Sequence, residues 1–340
     1  MSSFHAAAGA TAFEDDRFPH AHRNAAIVRR TLLWVLCTYA CIHLLHNMGG
    51  EGAWLKLGDA LALKAAPPFN HRVLFVLLAR LFRRFDPALH VPAAYFLSQI
   101  VAAAAAFLVI EPWARRFVAP RHAEWSRPLL LLLLIPTFTY WTFYDLGIVF
   151  FHTAALLALM RRRHGWFLLA FAAGTLNHEN MVLLVPVALA LRLRAGMPWG
   201  RALARTAVEL AVYALLRWSL FQLLPAHAAW QAGKFAYNLG LLTAHPQALA
   251  KTAVWLIGWG AIVAVSRRRL HPDLVVAGSL LLGGILATAL VFGQLNELRL
   301  FDAFLPVAVV GILSAMAPDS AALVAADHMP VREVRRRRVA

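Results

Sequence analysis

Apolar runs separated by short polar breaks fill most of this chain, and the lengths of those runs predict its elements. Nearly continuous apolar segments occupy residues 31–48, 91–111, 128–143, 147–160, 207–224, 249–266, 274–292 and 300–317. A helix rises about 1.5 Å per residue, so a run of about twenty spans a bilayer core of about 30 Å. One stretch, 165–191, reads differently. Two apolar runs of about a dozen residues flank Asn177-His178-Glu179-Asn180, and each run covers only roughly 17 Å. The stretch is either one spanning helix with ionisable groups at its middle or a hairpin with a polar tip. Arg161-Arg162-Arg163 precede it, and Arg192, Arg194, Arg201 and Arg205 follow. Positive charge at both ends favours a hairpin that enters and leaves on the cytoplasmic side. The runs 128–143 and 147–160, turning at Tyr144-Asp145, predict a second short hairpin.

Residues 49–90 form an external loop. Within it, 73–85 predicts an amphipathic helix. At about 100° per residue, Arg72, Arg80, Arg83 and Arg84 share an arc of roughly 120°, mostly opposite Leu, Val and Phe. Such a helix lies on a membrane surface with its arginines towards lipid phosphates. The whole pattern predicts an all-α, polytopic integral membrane protein of about ten membrane segments, with both termini cytoplasmic. Residues 27–317 form one transmembrane domain. Residues 1–26 are expected to be a disordered tail, and 318–340 a basic cytoplasmic tail.

Composition agrees with the pattern. Of 340 residues, 61% are hydrophobic and 15% charged, with a mean hydropathy of +0.62. The net charge of +16 sits in arginine clusters between apolar runs, so it marks topology and excludes a nucleic-acid partner. The preponderance of Arg over Lys fits a high-GC bacterium and thus a bacterial inner membrane. Cys37 and Cys41 lie one turn apart inside the first run and read as small buried residues. Acids at Glu14, Asp15 and Asp16, with no cleavage site after Leu45, mark that run as a retained anchor.

On this topology the chemistry-bearing residues converge on the external face. Glu51 and Asp59 follow the first span, and Asn70-His71-Arg72 opens the surface helix. Asp145 tips one hairpin, and Asn177, His178, Glu179 and Asn180 tip the other. Arg217 lies near the outer end of its segment, with Asn296, Glu297 and Arg299 at the last external turn. Glu51, Asp59, Asp145 and Glu179 are the candidate catalytic acids, since a carboxylate takes a hydroxyl proton as general base. Asn70, His71, Arg72, Asn177, His178, Asn180, Arg217, Glu297 and Arg299 are the candidate substrate contacts, with the arginines suited to phosphate. Solvated loop charges, a turn aspartate and a local Glu297–Arg299 pair are the structural alternatives. His178-Glu179 begins a zinc-protease motif, but Val182 stands where the second histidine belongs. There is no phosphate-binding glycine loop with lysine, no nucleophile elbow and no Cys-x-x-Cys. No cofactor is fixed by the sequence, and a divalent metal is compatible with it.

The acid after the first span, Pro68-Phe69-Asn70-His71-Arg72-Val73-Leu74, Tyr144-Asp145, Thr175 to Asn180 and Asn296-Glu297-Leu298-Arg299 resemble the GT-C superfamily. These are polytopic glycosyltransferases that use lipid-linked sugars. The resemblance runs loosely from 31 to 310. It implies inverting transfer of a sugar from a polyprenyl-phosphate donor to an acceptor on the external face of the membrane. It implies a first-loop acid as base, Glu51 or, less well, Asp59. The competing class is a multi-pass transporter or flippase for a lipid-linked or anionic substrate, since short hairpins with polar tips also build transporter sites.

Overall fold

Apolar runs become helices, and the polar breaks become short turns. The computed structural model describes residues 19–48, 57–65, 69–138, 144–224, 233–244, 247–293, 295 and 297–317, among which no strand occurs. In chain order, α1 covers Pro19–Met48, α2 Leu57–Leu61, α3 Leu74–Phe85, α4 Val91–Ala114 and α5 Pro120–Ala123. Then follow α6 (Ser126–Leu134), α7 (Asp145–Met160), α8 (His164–Asn177), α9 (Leu184–Arg194) and α10 (Trp199–Leu223). The last four are α11 (Phe235–Ala244), α12 (Gln247–Ser266), α13 (Pro272–Val291) and α14 (Leu305–Met316).

Among the described residues, three helices are long and apolar enough to cross a membrane: Asn24–Met48 within α1, α4 and α13. Shorter apolar helices lie at α7, at Thr252–Ser266 within α12, and at α14. At 25 residues α10 is long enough, but Arg201, Arg205, Glu209 and Arg217 lower its apolar content. Three differences from the sequence reading have local causes. Helix α1 begins at Pro19, inside the stretch expected as a tail. In the run 128–143, whose described part ends at Phe138, α6 stops at Leu134 and a 3₁₀ turn, Ile135–Thr137, follows. Pro136 brings no N–H for a continuing helix. Between the apolar runs 207–224 and 249–266, residues Phe235–Ala244 form the further helix α11.

The stretch 165–191 is not one helix. α8 ends at Asn177, His178 is extended (φ −158°, ψ 140°), and a 3₁₀ turn at Glu179–Leu183 leads into α9. Arg192 Nη2 then lies 3.4 Å from His164 Nδ1, so the end of α9 returns beside the start of α8. That is the hairpin its flanking charges predict. α7 rises about 24 Å and α8 about 21 Å, less than a full hydrocarbon core.

Buried ion pairs tie together one set of helix ends. Glu111, near the end of α4, pairs with Arg127 of α6 at 2.8 Å and Arg30 of α1 at 3.4 Å, and bonds Arg115 one turn on. Glu124 takes Arg29 at 2.7 Å and Arg30 at 3.1 Å. Burial pushes the Glu124 carboxyl upward, but the two guanidiniums outweigh it and hold it below the ordinary carboxylate range. Arg192 of α9 meets the fully buried Glu209 of α10, and Arg194 meets Asp273 of α13 at 2.9 Å. These are the ends that the arginine pattern assigns to the cytoplasm. Such pairs contribute little net stability, yet each fixes which helix ends meet, because a lone buried charge is costly.

Candidate functional site

The opposite helix ends meet around Tyr144, the residue before α7. Its ring is fully buried and carries the Arg72 guanidinium at 4.3 Å. Its backbone carbonyl accepts from Asn177 Nδ2 at 3.1 Å, and its hydroxyl accepts from Arg299 Nη1 at 3.3 Å. One aromatic ring thereby gathers the surface-helix loop, the end of α8 and the last turn. Gly147, one turn further along α7, makes the approach feasible. A Cβ there would overlap the Phe75 ring of α3 and come within 2.8 Å of Asn177 Nδ2.

Two ion pairs flank the tyrosine. Arg72 donates to Glu179 in a fork, Nε to Oε2 at 3.1 Å and Nη2 to Oε1 at 2.5 Å. Fork geometry is the strongest form of this pair. The sequence reading put Arg72 on the arginine arc of the surface helix. It instead precedes that helix and turns inward. Arg299 donates to Glu297 Oε2 from Nε at 3.1 Å and from Nη2 at 3.0 Å. The Tyr213 hydroxyl donates to the Glu179 carbonyl at 3.1 Å, which binds α10 to the hairpin tip. His178 Nδ1 accepts from the Asn180 N–H at 3.2 Å and caps the 3₁₀ turn.

A second group sits where α10 ends. Asn70 Nδ2 donates to the Leu224 carbonyl at 3.3 Å, and His71 Nε2 lies 3.0 Å from the same oxygen. Burial holds the His71 ring below the ordinary imidazole range, the Leu224 bond opposes this, and Arg217 adds to the lowering. The neutral ring therefore donates from Nε2 at pH 7. Arg217 Nη1 donates to the His71 carbonyl at 3.4 Å and lies near the Phe221 ring. Among the described residues no carboxylate forms a close ion pair with Arg217, which faces Glu179 only at longer range, so its terminal N–H groups suit an anion.

Asp145 and Asp302 are the carboxylates that these pairs leave over. Both are buried, at 4% and 1% exposure, and each lies within electrostatic reach of the other and of Arg299. Asp145 Oδ2 lacks a hydrogen-bond partner among the described residues, while Asp302 has the Thr137 hydroxyl as a nearby donor. The amide oxygens of Asn70, Asn177 and Asn180 also lack partners among the described residues. The unpartnered side-chain atoms here are mostly acceptors, an exception being the Nε1–H of Trp255, whose ring stacks on Phe301. A buried acceptor left without a donor costs about 1–3 kcal/mol, so a ligand that fits must bring donors.

Of the residues singled out by sequence, Asn70, His71, Arg72, Asp145, Asn177, His178, Glu179, Asn180, Arg217, Glu297 and Arg299 are brought together here. Asp59 is exposed on α2, away from these contacts. Glu51 and Asn296 lie outside the described residues. Sequence reasoning missed Asp302, whose apolar setting between Phe301 and Ala303-Phe304 was the available signal. Among the described residues no three His, Cys, Asp or Glu side chains are grouped as ligands for a metal ion. Comparison with protein-family models, with curated proteins and with solved structures found no match to this chain.

Proposed function

We propose that this chain is a multi-pass inner-membrane glycosyltransferase that moves a sugar from a polyprenyl-phosphate donor to an acceptor on the external face. The observation that supports the reading is the set of unpartnered acceptor oxygens at Asn70, Asp145, Asn177 and Asn180, beside Arg217, which forms no close ion pair with a described carboxylate. A sugar supplies hydroxyl donors to such a set, and Arg217 suits the donor's phosphate. Helices α7 and α8, which meet at the cluster, are shorter than a hydrocarbon core, which supports a site below the membrane surface at the depth of a lipid headgroup. Glu51, in the loop after α1, is then the general base, and the Arg72–Glu179 and Arg299–Glu297 pairs build the floor of the site.

Binding tests this with polyprenyl monophosphate alone as the probe, titrated into the full chain in lipid nanodiscs and followed by tryptophan fluorescence. Arg217→Gln is expected to raise the Kd about tenfold, the equivalent of one lost charged contact. Arg163→Gln, at the other set of helix ends, should leave it unchanged. Equal affinities in all three proteins would remove the phosphate site.

The same acceptors favour a second reading, a proton- or cation-coupled transporter or flippase. Two buried acids, Asp145 and Asp302, within electrostatic reach of each other suit a carried proton. Both readings share one topology. Cysteines placed at the exposed Asp59 and the half-buried Lys234 should react with an impermeant maleimide outside sealed right-side-out vesicles, while those at Arg163 and Arg268 should not. Labelling of 163 or 268 from outside would overturn it.

A further inference from the structure

A groove of about 540 Å³ opens between α2, α3 and the start of α4, apart from the Tyr144 cluster. It is lined by Gly58, Leu61, Arg80, Arg83, Arg84 and Pro87 among others. Arg80 donates from Nε to the Leu61 carbonyl at 2.7 Å, and Arg83 from Nε to the Leu89 carbonyl at 3.0 Å. These bonds hold two guanidiniums at the groove while their terminal N–H groups make no bond among the described residues. None of the three arginines has a carboxylate partner among the described residues. Asp86, the acid next in sequence, uses Oδ1 for the Ala88 N–H at 3.1 Å.

The rest of α3 indicates what covers this groove. Phe75, Val76 and Ala79 face the protein and are buried. Leu77, Leu81 and Phe85 form a separate stripe at i, i+4 and i+8, exposed by 48%, 46% and 81%. At about 100° per residue that stripe adjoins the arginines on one side. An apolar stripe beside a cationic one matches a lipid monolayer, with acyl chains below and phosphates level with the guanidiniums. We propose that the groove binds the phosphate headgroup of an anionic phospholipid and seats α3 in the outer headgroup layer. The site does not depend on the glycosyltransferase reading, and it is separate from the donor phosphate position at Arg217.

A bimane label at Pro87→Cys reports on the groove, since the native Cys37 and Cys41 are both buried. The labelled full chain is reconstituted in phosphatidylcholine nanodiscs with increasing headgroup-nitroxide phosphatidylglycerol or headgroup-nitroxide phosphatidylcholine. At about 1 kcal/mol per basic residue near a headgroup, phosphatidylglycerol should half-quench at a mole fraction at least about fivefold lower. Arg80→Gln/Arg83→Gln/Arg84→Gln should abolish that preference. Arg84→Gln alone, whose side chain makes no hydrogen bond among the described residues, should reduce the preference about fivefold without disturbing the fold. Equal quenching by the two lipids, or a preference that survives in the triple variant, would overturn the proposal. So would loss of the preference on adding millimolar inorganic phosphate, which would assign the groove to a free anion.

Discussion

Glu179→Leu is expected to destabilise the chain by about 3 kcal/mol, the range seen when one member of a buried ion pair is removed. Its partner has nowhere to go. The Arg72 side chain is only 8% exposed, and without Glu179 its charge keeps the faces of Tyr144 and Phe69 and a longer-range interaction with Asp145, but no carboxylate that it hydrogen-bonds. Arg72→Met should cost less, about 1–2 kcal/mol, because the Glu179 side chain is 32% exposed and water can solvate it. The double variant should be more stable than Glu179→Leu alone, since no charge is then stranded. Thermal unfolding in a mild detergent reads all four proteins. A fall in midpoint of roughly 4 °C for Glu179→Leu follows from typical unfolding entropies. An unchanged midpoint would mean that the fork adds nothing to the fold.

Glu51→Gln is expected to lower sugar transfer by a factor on the order of 100 or more while donor affinity stays within about twofold. Glutamine keeps the shape and removes the basicity, so only proton transfer suffers. Asp145 and Asp302 sit too deep to receive a proton from an acceptor arriving outside, with exposures of 4% and 1%. Asp145→Asn should therefore raise the KM more than it lowers kcat. If Asp145→Asn instead gave the hundredfold loss in kcat and Glu51→Gln none, the base would belong to the buried pair.

Much of this architecture was written in the spacing of apolar runs. The amphipathic 73–85 became α3 within a residue, and charge at both ends of 165–191 foretold the hairpin. Hydropathy periodicity and arginine placement are local signals, readable one segment at a time. Pairings between segments are not. Nothing in Asn70-His71-Arg72 announces that Arg72 turns inward to an acid 107 positions away, since its periodicity fits the surface arc equally well. Glu111 and Glu209 had the same problem: each reads as a stray charge near a helix until Arg127 and Arg192 are beside it. Asp302 was hidden by the strong apolar run around it. Pro136 was visible, but not that α6 would stop short of it, at Leu134.

The most direct test of the central claim follows labelled sugar in sealed right-side-out proteoliposomes holding the full chain, with polyprenyl-phosphate hexose donors and a mixed glycan acceptor added outside. The account predicts donor-dependent transfer to the acceptor, with retained donor binding and at least about hundredfold slower turnover in Glu51→Gln. Absence of transfer with every donor, together with movement of the donor lipid between leaflets driven by an imposed pH gradient and lost in Asp302→Asn, would contradict it and establish the transporter.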